Sequence, residues 1–279
     1  MLKINCSDLP EANRCMLRFF ANTQTKEVEK IGYTLRKPQA KSAKLVLSSC
    51  CNEVINKMFR QKIETGRIDI NTANNDAVDS YRSQENTAGE IEYDRDITNR
   101  EHAIQAIQKV VARFKYDFAG EFVFPPKAVY NDMVNVEITG SLLDDDIELS
   151  AKIPLIDSEN VYVFKYSKRY SHSYHAQLGG YRILLQSDGD LKKYKTLNTP
   201  ISAKTGMQKP VEFYDYGKGD DIYWIAKSTI NRIAHYWSAL KEQKIDVTEM
   251  PANPACVRCS QKYCKAWGTD FCVYHRWEK

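Results

Sequence analysis

Apolar residues recur along this chain with two distinct periods. Residues 40–62 carry Leu45, Val46, Val54, Ile55, Met58 and Phe59 at helical spacing, which predicts an amphipathic helix. A second stripe, Ile104, Ile107, Val111 and Phe114, predicts a helix to about Phe118, opened by a capping box of Thr98 and Glu101. A third, in DDIYWIAKSTINRIAHYWSALKEQ, places Ile222, Ile225, Ile230, Ile233, Ala234 and Trp237 on one apolar side. Near the N-terminus a short strand or turn precedes a helix across LPEANRCMLRFFANT, with Ser7 as its predicted N-cap.

Between the second and third stripes the period shortens. EFVFPP, VNVEITGSLL, DIELSAKIPLI and VYVFKYSKRY are short and β-rich. Turn residues at Asp144 to Asp146 and at Asp157 to Asn160 part them. HAQLGGYRILLQ then reads as a helix whose adjacent glycines imply a close packing contact. Residues 64–96, rich in Asn, Asp, Ser and Thr, predict an irregular insert, and 184–220 carry another irregular stretch. The order of helices, strands, helix and helix indicates an α/β or α+β chain.

Composition narrows the function classes. With 279 residues, 43% apolar and 11% aromatic, the chain has material for a substantial core and is not a disordered segment. No apolar run reaches the ~18 residues that a membrane span needs. MLKINCSDLPEANRC lacks a signal peptide's apolar core, so a reducing cytoplasm is the expected setting. A net charge of +4 permits a nucleic-acid partner without requiring one. A phosphate-binding G-x-x-x-x-G-K-[ST] loop and a G-x-S-x-G elbow are both absent, so neither an ATP motor nor a serine hydrolase is expected.

The cysteines change the picture more. Cys256, Cys259, Cys264 and Cys272 crowd into the C-terminal run CVRCSQKYCKAWGTDFC. In a reducing compartment such clusters are metal or iron–sulfur ligands more often than disulfides, because neighbouring thiolates repel without a cation between them. Zinc suits four local thiolates, or three with His275, whereas an iron–sulfur cluster takes ligands from more varied spacings. Cys50 and Cys51 lie on the apolar side of a helix and read as core. The run KYSKRYSHSYHAQ, from Lys165 on, interleaves Lys165, Lys168 and Arg169 with tyrosines such as Tyr170, a pattern suited to phosphate contact and base stacking.

This succession resembles the RecB/AddB-like branch of the PD-(D/E)XK nuclease superfamily. SDLPEANRCMLRFF is similar to the family's leader followed by a cysteine and a helix, and LVLSSCCNEVINKMF to the helix that ends at a metal-site histidine, a place falling near Asn52. LSAKIPLI and VYVFKYS are similar to its two core strands, and Gln177-Leu-Gly-Gly-Tyr181 to its Q-x3-Y helix. The resemblance implies a mixed central sheet flanked by helices, in a single domain over 1–279. Segments 1–30 and 245–279 would be joined by a 4Fe–4S cluster on Cys15 and three of Cys256, Cys259, Cys264 and Cys272, with zinc as the alternative. It also implies that Lys165, Gln177 and Tyr181 descend from an active site facing DNA.

Two departures matter. Where the family places an aspartate this chain has Pro154, and where it places the acid of D/E-x-K it has Val163, though Glu148, Asp157 and Glu159 lie nearby in sequence. Magnesium or manganese needs hard oxygen ligands to activate water, and these side chains offer none. The expectation is a catalytically degenerate nuclease fold that binds DNA or a DNA-processing complex. The alternatives are an active metal-dependent exonuclease and a protein-interaction subunit without DNA contact.

Overall fold

The computed structural model describes residues 1–37, 41–88, 90–93, 97–117, 133–143, 146–157, 159–166, 171–185, 192–201, 210–253, 259 and 264–272. The chain opens with β1 (Leu2–Asn5), a 3-10 turn, α1 (Leu9–Arg14), α2 (Met16–Thr23) and α3 (Thr25–Lys30). A helical segment follows: α4 (Ala43–Thr65), α5 (Ile70–Ala88) and α6 (Arg100–Asp117), with the short strands β2 (Lys41–Ser42) and β3 (Ile91–Glu92) paired beside it. Then come β4 (Val134–Leu142), β5 (Ile147–Ile156), β6 (Asn160–Lys165), α7 (Tyr174–Leu185), β7 (Lys193–Asn198), β8 (Glu212–Asp215) and α8 (Asp220–Lys241). Among the described residues the result is a mixed α/β fold, a six-stranded sheet with helices on both faces.

The sheet runs β1-β5-β6-β7-β8, with β4 along the other edge of β5. Because β4 pairs with β5 from Leu155 to Ile147, β1 and β6 must share the opposite edge. β1 takes residues 147–150 in parallel, and β6 takes Leu155 and Ile156 antiparallel. The sheet therefore forks there, and the C-terminal ends of β1 and β6 point toward each other across the gap. Pro154, with no N–H to give a ladder, sits inside that gap.

One face of the sheet packs against α1, α2, α7 and α8 through residues such as Leu149, Ile153, Val161 and Val163. The other packs Phe164, Leu155 and Tyr162 against Phe59 of α4 and Phe114 of α6. A third apolar cluster lies among α4, α5 and α6, where Cys50 and Cys51 are fully buried as expected of core residues.

Several sequence expectations need correction. The 64–96 segment is not an irregular insert, since α5 occupies most of it. Among its described residues Ala73, Ala77, Ser80 and Tyr81 are the buried ones, and small residues at four-residue spacing give little hydropathy signal. Likewise 184–220 contains β7 and β8, whose buried positions include Thr196 and Asn198 rather than apolar residues alone. Ser7 is not the N-cap of α1: Asp8 holds that position without a side-chain cap bond, and Asn5 caps the preceding 3-10 turn, its Oδ1 accepting the Ser7 N–H at 2.9 Å. Asn99, not Thr98, caps α6: its Oδ1 accepts from the His102 N–H, while the Thr98 hydroxyl pairs with the His102 ring. Ile225 is not core but lies on the outer side of α8 at 37% exposure. The EFVFPP strand lies outside the described residues.

The glycine pair of α7 does mark a close contact. A Cβ at Gly179 would lie 1.9 Å from the Ile222 carbonyl oxygen, so α7 and α8 approach backbone to backbone. Gly180 faces the other way, toward Cys6 Sγ. No described helix is long and apolar enough to cross a membrane.

Candidate functional site

The fork in the sheet opens into a cleft of about 800 Å³. Its floor is the end of β6 with Lys165 and Tyr166, one wall is α1 and α2, and the other is the face of α4 carrying Lys44, Ser48 and Asn52. The cleft thus lies beyond the carboxyl end of β6 and beside the turn that follows β1.

Lys165 is the centre of the arrangement. Its Nζ donates to Gln177 Oε1 at 2.5 Å, and Gln177 Nε2 donates to the Tyr181 hydroxyl at 2.5 Å. Nζ also stands 4.5 Å from the centroid of the Tyr174 ring. Helical spacing explains why Gln177 and Tyr181 align, one turn apart on α7. Both are buried, so they hold the ammonium from behind rather than face a ligand, contrary to the expectation from the resemblance. Burial, and then the Arg14 guanidinium nearby, lower the Lys165 ammonium from its ordinary 10.5 to about 8.

Arg14 reaches the same cleft from the last turn of α1 and is fixed by Ser171 and Ser173, at 3.1 and 2.8 Å. Asn52, at the place the family gives a histidine, accepts from the Tyr166 hydroxyl at 2.7 Å. Two carboxylates also line the cleft, Asp8 and Glu11. Burial raises the Asp8 carboxyl, and Glu11 raises it further. Glu11 is paired with the guanidinium of Arg18, which is 1% exposed. Val163, by contrast, is sealed in the core on the Lys165 face of β6, at 2% exposure, so the D/E-x-K acid has neither a carboxylate nor open space.

No protein-family model matches this chain, and no curated protein does either. Function therefore rests on the chemistry of the side chains themselves.

Behind the cleft lies a second feature. Cys15, Cys259, Cys264 and Cys272 line one small enclosed cavity together with Arg18. The C-terminal segment is tied there by backbone bonds from Met16 N–H to Pro251 O and from Arg36 N–H to Lys265 O, and by Lys265 N–H to Asn22 Oδ1. Burial, aided by Cys15 and Cys272, pushes the Cys264 thiol up to about 12, while Arg18 opposes that rise. Thiolates at this spot thus call for compensating positive charge. Four thiols from well-separated parts of the chain share this wall with Arg18 and Asn253, and among the described residues no imidazole or carboxylate lies on it. Among the described residues, too, no group of three or more His, Cys, Asp or Glu is gathered tightly enough to mark a metal-ion site.

Cys256, His275, Lys168, Arg169 and Tyr170 lie outside the described residues. Sequence reasoning missed Arg14, Tyr166, Tyr174, Asp8 and Glu11. Asp8, Glu11 and Arg14 share one side of α1 at three-residue spacing, whereas tertiary packing alone brings Tyr166 and Tyr174 to them.

Proposed function

We propose that this chain is a catalytically degenerate RecB-like PD-(D/E)XK fold that binds DNA in the forked cleft and carries an iron–sulfur cluster joining its termini. The observation that carries the reading is the pairing of Lys165 with Val163. The phosphate-binding lysine is retained, braced by Gln177 and Tyr181, while the metal-binding acid beside it is a core valine. Arg14, Lys44 and the rings of Tyr166 and Tyr174 supply the cations and stacking planes that a nucleic-acid strand engages. Cys15, Cys259, Cys264 and Cys272 are the proposed cluster ligands. The cluster's role is structural, holding α2 against the C-terminal segment as a distant cross-link.

A second reading has its own support: Asp8 and Glu11 share the cleft with Lys165 and offer oxygen ligands in place of the missing strand acids. Labelled single- and double-stranded DNA incubated with the protein and Mn²⁺ separates the two. Binding without cleavage, weakened by Lys165→Ala, supports the degenerate nuclease. Cleavage abolished by Asp8→Asn or Lys165→Ala replaces it with an active exonuclease. Protein that neither binds nor cuts either DNA is left with the interaction-subunit role. For the cluster, stoichiometric iron with visible absorbance in anaerobically purified protein, lost in Cys15→Ser, is expected; one zinc per chain that survives Cys15→Ser overturns it.

A further inference from the structure

The outer face of α8 carries an open aromatic and basic stripe that the cleft does not use. Trp224 is 63% exposed, the most exposed large aromatic in the sheet-flanking helices α7 and α8. Lys227, Asn231 and His235 follow it at intervals of three and four residues, so they line up along one side of the helix. With Arg232 and Tyr236 they border a shallow groove of about 420 Å³. The Lys227 ammonium stands 5.3 Å from the centroid of the Trp224 ring.

The inner face of α8 is occupied by packing against α7 and α1, through Ile222, Ala226, Ile230 and Ile233. Of the residues bordering the groove Tyr236 packs against that core, while Trp224, Lys227, Asn231, Arg232 and His235 are exposed. An exposed indole is not needed for stability, and its cost in solubility is offset here by two cations. No carboxylate among the described residues lines the groove; Asp220 and Asp221 lie back in the first turn. Charge therefore selects an anionic partner, and the open indole selects one with flat, unstacked rings.

The stripe also connects to the cleft. Asn13 Oδ1 accepts from Arg232 Nη2 and, at 2.9 Å, from the Thr229 hydroxyl of α8. The next residue, Arg14, leaves α1 on another side and lines the cleft. One thin helix is thus all that separates the two surfaces.

We infer that the outer face of α8 is a second contact for single-stranded nucleic acid, in which a base stacks on Trp224 and phosphates lie against Lys227 and Arg232. A duplex hides its ring faces and leaves the indole nothing to stack on. The inference rests on the proposed cleft function only for the direction of the track, across α1 toward Lys165.

The test is binding of fluorescently labelled oligo(dT) to the full chain, read by anisotropy across a salt series, with tryptophan emission followed in parallel. Trp224→Ala is expected to weaken binding about tenfold, as loss of one stacked base does. Lys227→Gln with Arg232→Gln is expected to flatten the slope of log affinity against log salt by about 1.4, at roughly 0.7 per single-strand phosphate contact. All three side chains are exposed, so the variants keep the fold, and thermal unfolding verifies this. Affinity and salt slope unchanged in both variants overturn the inference. Equal quenching of Trp224 by polyglutamate also overturns it, because charge alone then suffices. Lys165→Ala is the separate arm: if it binds like the wild type while the α8 variants do not, the cleft reading fails and the α8 contact stands.

Discussion

Substitution of Gly179 by alanine tests the tightest contact in the fold. Alanine is the better helix former by ~1 kcal/mol, so on propensity alone the change in α7 should stabilise. The packing says otherwise. The new Cβ would lie 1.9 Å from the Ile222 carbonyl oxygen and 2.7 Å from Ala226 Cβ. An ordinary carbon–oxygen approach is about 3.3 Å, so the helices must part by roughly 1 Å or more. A backbone carbonyl inside a helix has no rotamer through which to retreat. Overpacking of a core typically costs about 1–3 kcal/mol, and a backbone clash belongs at or above the upper end. After the propensity gain the net loss is about 2 kcal/mol or more, worth roughly 4–8 °C in melting temperature for a chain of this size. Gly180→Ala meets the Cys6 sulfur at 2.7 Å and Leu9 Cδ1 at 3.0 Å, which are side-chain atoms that can shift, so it should cost less. Thermal unfolding followed by circular dichroism gives the comparison. A Gly179→Ala protein that melts at or above the wild type, or a Gly180→Ala protein that is the less stable of the two, would refute the reasoning.

Other outcomes follow from the same geometry. The unfolded chain binds a proton at Lys165 up to pH ~10.5 and the folded chain only up to about 8, so stability should rise with pH between those values. The gain is at most about 3 kcal/mol, at ~1.4 kcal/mol per tenfold change in proton affinity, and Lys165→Met should abolish the rise in denaturant titrations. DNA affinity that depends on the Lys165 charge should fall as pH climbs through about 8, measured by anisotropy in wild type against Lys165→Met. Glu11→Ala removes an anionic partner of the buried Arg18 guanidinium and should cost up to about 3–5 kcal/mol, whereas Glu11→Ala with Arg18→Met should recover most of the loss. Equal losses in the single and double variants would show that the pair carries no such charge penalty.

The helices with broad apolar stripes and the strands β4, β5 and β6 were legible in the sequence, because their periods are strong. α5 was not, because alanines at 73 and 77 pack as well as leucines in a crowded helical layer yet weigh little in hydropathy. β7 was hidden for the opposite reason, since it buries Thr196 and Asn198, the latter satisfied by Glu212. Within the site, Lys165, Gln177 and Tyr181 could be read together because one strand end and one helical turn hold them. Arg14 could not, since it comes from α1 and meets Lys165 only through tertiary packing, whereas the place of Asn52 was legible only through the resemblance. Ile225 was read as core because helical spacing cannot distinguish the rim of an apolar stripe from its centre.

The seam between the two ends of the chain also sets a clock. Asn22 and Lys265 are 243 residues apart, yet each satisfies the other's polar groups. At synthesis rates of roughly 5–20 residues per second, α2 waits about 12–50 s for that partner to be made. Through that interval one flank of Phe19 and Phe20 lacks its neighbours from α8 and the C-terminal segment. The apolar flank of α2 therefore stays open until the segment around Lys265 is made and covers it.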